Sequence, residues 1–218
     1  MLNLIKKEIS LCLHPTSFIF LAFAGLVFVP NYPYEVIFFF SGLSVYFCCV
    51  TSRENGDLPF TCALPVTKRD VPIARILTAA GLQCILLLLT GIAGALKEAV
   101  FPPELLFNGA GLSANVALVG VGGILLGVFN AIFFPLYYKK PEKIGIPFVI
   151  AAASVFVLIG ASVTLRWTHP LFLNILNGGN SEHTGAKLLA LAVGLCGYIA
   201  LTALACRLSA KRFENVDL

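Results

Sequence analysis

Charge is the scarce component of this sequence. Asp, Glu, Lys and Arg make up 12% of its 218 residues, about half of the roughly 25% usual in soluble chains. No polar stretch exceeds about twenty residues, so a sizeable soluble domain is excluded. The apolar segments 118–136 and 146–165 carry no polar stripe, and a helical bundle in water needs one along every helix. A net charge of +4 gives no reason to invoke nucleic acid. These absences leave an integral membrane protein.

Apolar residues make up 58% of the chain and gather into six stretches, at about 13–29, 36–51, 73–96, 112–136, 147–165 and 186–206. Crossing a hydrocarbon core of about 30 Å takes roughly 20 helical residues. Read as six spans, they place 12 of the 15 Lys and Arg on one side: Lys6, Lys7, Arg53, Lys68, Arg69, Arg75, Lys139, Lys140, Lys143, Arg207, Lys211 and Arg212. The other side keeps Lys97, Arg166 and Lys187. Cytoplasmic loops retain basic residues, so both termini are expected in the cytoplasm. Cys12, Cys48, Cys49, Cys62 and Cys206 then lie at the cytoplasmic face, with Cys84 and Cys196 inside spans. No cysteine falls in an outer connection, and no disulfide framework is expected. Adjacent Cys48 and Cys49 lack a metal-type spacing and read as small apolar fillers.

Lys6 and Lys7 precede a long apolar stretch that no small-x-small cleavage site closes, so a cleavable signal peptide is not expected. Leu2, Ile5, Ile9 and Leu13 recur at helical spacing beside Lys6, Lys7 and Glu8. That pattern predicts a short amphipathic helix over 1–12, lying on the inner membrane face, with Pro15 marking its bend into the bilayer. The outer connections run over 30–35, 97–111 and 166–185, the inner ones over 52–72 and 137–146. The turn at 30–35 is short and aromatic, as expected at an interface, and 171–176 suits a small interfacial helix. Gly123-x-x-x-Gly127 and Ala190-x-x-x-Gly194 set small side chains on one helix face. They permit close backbone approach, either within the chain or to a second copy. The clearest polar residues inside the bilayer are Gln83 and Asn130. Neither ionises, which counts against a proton-driven transporter.

The inner connection before the third span is the most mixed in charge, with Arg53, Lys68, Arg69 and Arg75 against Glu54, Asp57 and Asp70. Thr67-x-x-Asp70 reads as a capping box with Asp in place of Glu, or Asp70 caps the helix itself with Pro72 in its first turn. Residues 53–64 read as a short amphipathic element on the cytoplasmic surface. Such an element is a docking surface for a cytoplasmic partner or a solvated connection, and the residues alone leave both open.

Glu54, then an apolar stretch, then Leu64, Pro65, Val66, Thr67, Lys68 and Arg69, with Arg75 just inside the next helix, resembles type-2 ABC transporter permeases. The small bacterial members related to bacitracin-resistance and peptide-toxin exporters share the six spans and a similar length. The topology match covers the whole chain and the motif about 25 residues. Gly56 and Pro59 depart from a regular coupling helix and predict a short or broken one.

The resemblance implies an all-α permease in a bacterial cytoplasmic membrane. It implies a separate cytoplasmic ABC ATPase that carries the ATP and Mg, and a second permease copy or paralogue beside membrane lipid. It also implies ATPase coupling through Arg53, Glu54, Asp57, Leu58, Phe60, Lys68 and Arg69. In that reading Glu54 and Arg69 pair with charges on the ATPase, and Leu58 and Phe60 dock on it. The chain itself carries no Gly-x-x-x-x-Gly-Lys-[Ser/Thr] phosphate loop and is expected to bind no cofactor or metal. The cargo is expected to be hydrophobic or amphipathic: a peptide, an antibiotic or a lipid.

Three other readings compete. Gly111-Leu-Ser-Ala114 superficially resembles the rhomboid protease motif but lacks its last Gly, and His14, His169 and His183 lie outside or at the ends of spans, which leaves no Ser/His dyad. A zinc site is equally weak, because His169 and His183 are fourteen residues apart without a paired ligand motif. A substrate-binding subunit of an energy-coupling-factor importer fits the composition, but the long charged inner loop and its Leu-Pro-Val-Thr turn fit it less well. A membrane sensor or chaperone would show no ATP-stimulated substrate movement.

Overall fold

A computed structural model describes residues 1–29, 31–102, 105–107 and 112–216. Pro30 of the first outer turn, parts of the connection at 97–111, and Gly111 of the rhomboid-like motif lie outside the described residues. The chain is helical: α1 Leu2–Lys7 runs into a π-turn, Glu8–Cys12, and α2 Thr16–Ala22 runs into a 3₁₀ segment, Phe23–Phe28. Then follow α3 Val36–Glu54, α4 Asp57–Cys62, α5 Asp70–Val100, α6 Val116–Tyr137, α7 Gly145–Thr168 and α8 Thr184–Glu214. Among the described residues, β structure is confined to an isolated bridge, Phe107 to Ser113.

Five helices, α3 and α5 to α8, are long and apolar enough to cross a membrane. A sixth crossing requires α1 and α2 to be taken as one element bent by 93°. Leu13 turns extended at the bend, Pro15 supplies no N–H, and the His14 ring caps the new helix by accepting from the Thr16 amide at 3.2 Å. Seven α-helical and six 3₁₀ residues reach only about 22 Å. This first crossing is therefore shorter than the expected 13–29.

The core is organised on α6, which packs against α3, α5, α7 and α8. A Cβ on Gly120 would lie 2.5 Å from the Ala190 carbonyl oxygen. One on Gly194 would overlap the Gly120 backbone. Gly123 faces the Gly194 carbonyl, and Gly127 rests on Tyr198 and Leu201. The two small-residue stripes thus meet each other, α6 against α8, within one chain. At mid-depth Gln83 and Asn130 exchange amide hydrogen bonds of 2.9 and 2.7 Å. Tyr198 donates to Gln83 at 2.9 Å, and Asn130 to Thr202 at 3.2 Å. Such bonds contribute about 1 kcal/mol each within a membrane, and here they fix the register of α5, α6 and α8.

Charged side chains gather at the two ends of the bundle. At the end poor in basic residues, Lys97, Arg166 and Lys187 are not in solvated loops; all three are buried in helices. Lys97 donates to the Tyr34 hydroxyl at 2.6 Å and to the Val27 carbonyl at 3.2 Å, which closes the 3₁₀ segment. Arg166 lies 3.4 Å from Glu35. Tyr34 and Glu35, at the end of the first outer turn, are themselves fully buried, while Asn31 is exposed. Asn115 caps α6 through Leu118 and ties it to the carbonyls of Leu176 and Gly178.

At the basic end the expected cap of α5 does not form. Its N-cap is Arg69 with no side-chain hydrogen bond, and Asp70 is the first helical residue. Asp70 therefore acts on the helix dipole alone, with Pro72 in the first turn, where its missing N–H costs nothing.

Substituting Gly194 by Leu forces a side chain into the α6 backbone and is expected to cost at least 1–3 kcal/mol, the usual range of ~1–3 for overpacking. Gly160, with nothing within 4 Å of an added Cβ, should tolerate Ala unchanged or gain slightly. Thermal unfolding of the two variants in mild detergent measures both.

Candidate coupling site at the basic end

A dense polar cluster lies where α1, α3, α4, α5 and α6 meet at the basic end. Arg75, one turn into α5, is 4% exposed. Its guanidinium grips Glu8 at 2.8 and 3.2 Å, reaches Asp57 at 2.5 Å and donates to the Tyr137 hydroxyl at 3.3 Å. Lys7 lies 2.7 Å from Glu8 and 2.8 Å from Asp57, and it donates to the Thr61 hydroxyl at 2.9 Å. Ser52 adds a hydrogen bond to Asp57 at 3.1 Å. Two cations thus face two carboxylates in a neutral, almost dry quartet.

Local backbone chemistry brings these groups together. α1 and the π-turn that follows it bring Leu4, Glu8 and Cys12 to the inward face, while Leu2, Ile9 and Leu11 point out. The expected split of this segment into an apolar face and a Lys6–Lys7–Glu8 polar face is therefore corrected: Lys6 is exposed, but Glu8 is 2% exposed and held inside by Arg75. Gly56 breaks the chain between α3 and α4 at φ 61°, a conformation that only glycine adopts without steric cost. The chain reverses there, and Asp57, the first residue of α4, points back into the bundle. Thr61 returns a hydrogen bond to the Asp57 carbonyl at 2.7 Å. The result is a surface helix of six residues, short as Gly56 and Pro59 predict.

The seven loop residues singled out in the sequence divide by face. Asp57 and Leu58 are buried within the chain, so as the structure stands neither is open to a partner. Arg53, Glu54 and Phe60 are exposed. Arg53 and Glu54 make no side-chain hydrogen bond or ion pair among the described residues, and Phe60 is 57% exposed. Lys68 donates to the Val216 carbonyl at 3.0 Å, and Arg69 pairs with Glu214 near the end of α8. Both are exposed, and such surface contacts contribute little. Leu64, Pro65, Val66 and Thr67 line a cleft of about 420 Å³ together with Leu4, Lys7 and Asp70. Lys7, Glu8, Ser52, Thr61 and Tyr137 were not anticipated. The available signal was the pair of acids, Glu8 and Asp57, set among basic residues beside apolar stretches.

The electrostatics favour the charged forms. Burial alone would lower the Lys7 pKa, but its hydrogen bonds to Asp57 and Glu8 outweigh that and raise it. Burial likewise acts to raise Asp57, yet the Lys7 hydrogen bond and the Arg75 charge hold it below the usual carboxylate range. Glu8, Cys12 and Asp57 each present a donor atom within 4.8 Å of the others. Both carboxylates are already neutralised by Arg75 and Lys7, however, and burial pushes the Cys12 thiol up to about 12. A metal ion there would meet two resident cations and a protonated thiol, so the residues do not fit one.

Removing one member leaves the others buried and uncompensated, at a cost of roughly 3–5 kcal/mol for a charge pair of this kind. Arg75→Gln is expected to lower detergent stability by about that amount, and Lys7→Gln by less, because Lys7 is only partly buried. The depressed Asp57 pKa stabilises the fold above about pH 3.9, its unfolded value. That contribution is lost as pH falls through the lower folded value. The raised Lys7 pKa stabilises below about pH 10.4 and is lost as pH rises past it. Unfolding curves below pH 4 should therefore show an acid limb that Asp57→Asn shortens.

A family model described as ABC-2 family transporter protein matches residues 3–214. No curated protein sequence and no solved structure gives a match. The matched span runs from the amino-terminal helix that carries Lys7 and Glu8 to Glu214, the partner of Arg69, and so includes every element that meets at this cluster. The chain belongs to the ABC-2 family of transporter membrane proteins.

Proposed function

We propose that this chain is the membrane-spanning permease of an ATP-driven exporter, with its basic end in the cytoplasm and a separate ATPase docked on α4. The observation that carries the reading is the two-sidedness of α4. Its inner face is held to α1 and α5 through Asp57, while Phe60 and the adjoining Arg53 and Glu54 are bare. A surface helix so held passes displacement to the bundle instead of rolling independently. The cleft between α1 and the Leu64–Thr67 turn extends the docking surface. ATP and Mg belong to the ATPase, and a second copy or a paralogue completes the pathway. The cargo is a hydrophobic or amphipathic molecule, in keeping with spans that carry no charged residue between their ends.

Transport by this arrangement is a population shift: the ATPase must hold α4 differently in its two nucleotide states. Phe60 suits the apolar anchor of such a contact, and Glu54 its charged rim. The role of Asp57 moves from docking to transmission, because it cannot touch a partner while it binds Lys7 and Arg75.

Purification of the full chain with its native ATPase tests the reading. Glu54→Arg combined with Phe60→Ala is expected to lower ATPase retention about tenfold, the loss of one modest hot spot. The melting temperature of the permease should not change. Retention and ATP-driven transport at wild-type levels in that variant would sink the docking assignment; a permease that never brings an ATPase with it would sink the exporter reading.

A further inference from the structure

A second cluster of cations at the basic end has no internal counter-charge. Lys139, Lys140 and Lys143, in the short connection between α6 and α7, are all exposed. Among the described residues they make no side-chain hydrogen bond or ion pair, and neither does Glu142 between them. The three lysines rim a cleft of about 210 Å³ whose remaining walls are Leu136, Ile146, Pro147 and Ile150. Glu142 does not line it. The other basic cleft at this end, lined by Arg69, Arg207 and Lys211, already contains the Glu214 carboxylate against Arg69. The α6–α7 cleft thus combines three ammonium groups, unpaired among the described residues, with an apolar wall.

That wall continues down α7. Ile146, Val149, Ile150, Phe156 and Val157 are between 45% and 71% exposed, on a helix whose apolar surface is largely unpartnered within the chain. A ligand filling the cleft meets positive charge at its outer edge and hydrocarbon at its inner edge. An anionic phospholipid has that polarity, with phosphate at the headgroup level and an acyl chain below it. A protein partner's acidic surface would satisfy the lysines but leave Ile146 and Ile150 facing lipid, and free phosphate would make no use of them. We propose that this cleft is a binding site for an anionic phospholipid, its headgroup held by Lys139, Lys140 and Lys143 and one chain laid along Ile146 and Ile150.

The site makes no use of the coupling reading and can be tested on the full chain alone. Purified protein in neutral detergent is exchanged with phosphatidylglycerol or phosphatidylcholine, and retained lipid is counted by native mass spectrometry. Wild type should retain phosphatidylglycerol selectively. Lys139→Gln, Lys140→Gln and Lys143→Gln together should reduce that selectivity about tenfold, less than the product of three full surface-lysine contributions because exposed charges are screened. Arg207→Gln with Lys211→Gln, in the neighbouring cleft, should leave it within about twofold. Glycerol phosphate, which lacks acyl chains, should not compete at equal concentration. Any of three results overturns the site: no preference for the anionic lipid, equal loss in both sets of variants, or full competition by glycerol phosphate. Unchanged lipid retention in the lysine variant also overturns it.

Discussion

The structure of the basic end depends on one constraint: the buried carboxyl groups of Glu8 and Asp57 find counter-charge only where Arg75 and Lys7 both reach them. Coulombic attraction within such a cluster is large, but so is the loss of hydration, and the two nearly cancel. Net stability is therefore a poor account of the quartet. What it enforces is position. Arg75 binds Glu8 from two nitrogens and Asp57 from one of the same pair, a fork geometry that a lysine cannot reproduce. Satisfying it places α1, α4 and α5 together to within a hydrogen-bond length, and Tyr137 adds α6.

The two ends of the bundle solve the same problem differently. At the basic end the charges cancel locally and join short surface helices to long ones. At the opposite end Lys97 and Arg166 donate mainly to backbone carbonyls and a phenol, and Glu35 has one longer ion pair, to Arg166. Between the ends the polar contacts are neutral, and backbone-to-backbone packing of α6 on α8 sets the distances. The first crossing is short and partly 3₁₀, and it packs on α3 and α5. Six consecutive 3₁₀ residues are uncommon, and their geometry here is completed by a lysine from α5.

Much of this was legible in the sequence. Five spans follow from apolar runs alone, the alternating ends from the basic residues, and the break at α4 from Gly56. The short first crossing was not legible, because hydropathy counts residues and says nothing of whether Phe23–Phe28 winds as α or 3₁₀. The inward turn of Glu8 was hidden because its partner Arg75 lies 67 residues away, and nothing local marks it. Asp57 was read as surface because acids in a polar loop usually are. Nothing local marks its partners, which lie 50 residues before it in Lys7 and 18 after it in Arg75.

A six-residue helix has almost no stability of its own, and α4 contains a proline besides. Its persistence as a rigid unit must come from what it is fixed to. Asp57 binds both cations, Thr61 binds Lys7, and Leu58 packs in the core, so every inward side chain of its first turn and a half is committed. A force applied to its outer face cannot be absorbed by unwinding unless it first parts charges in a low-dielectric site, where separation is most costly. The easier response is for α1, α4 and the start of α5 to move as one block. The adjoining joint is the 93° bend beside Pro15, which precedes the short first crossing, so a displacement of that block would reach the membrane segment through this bend.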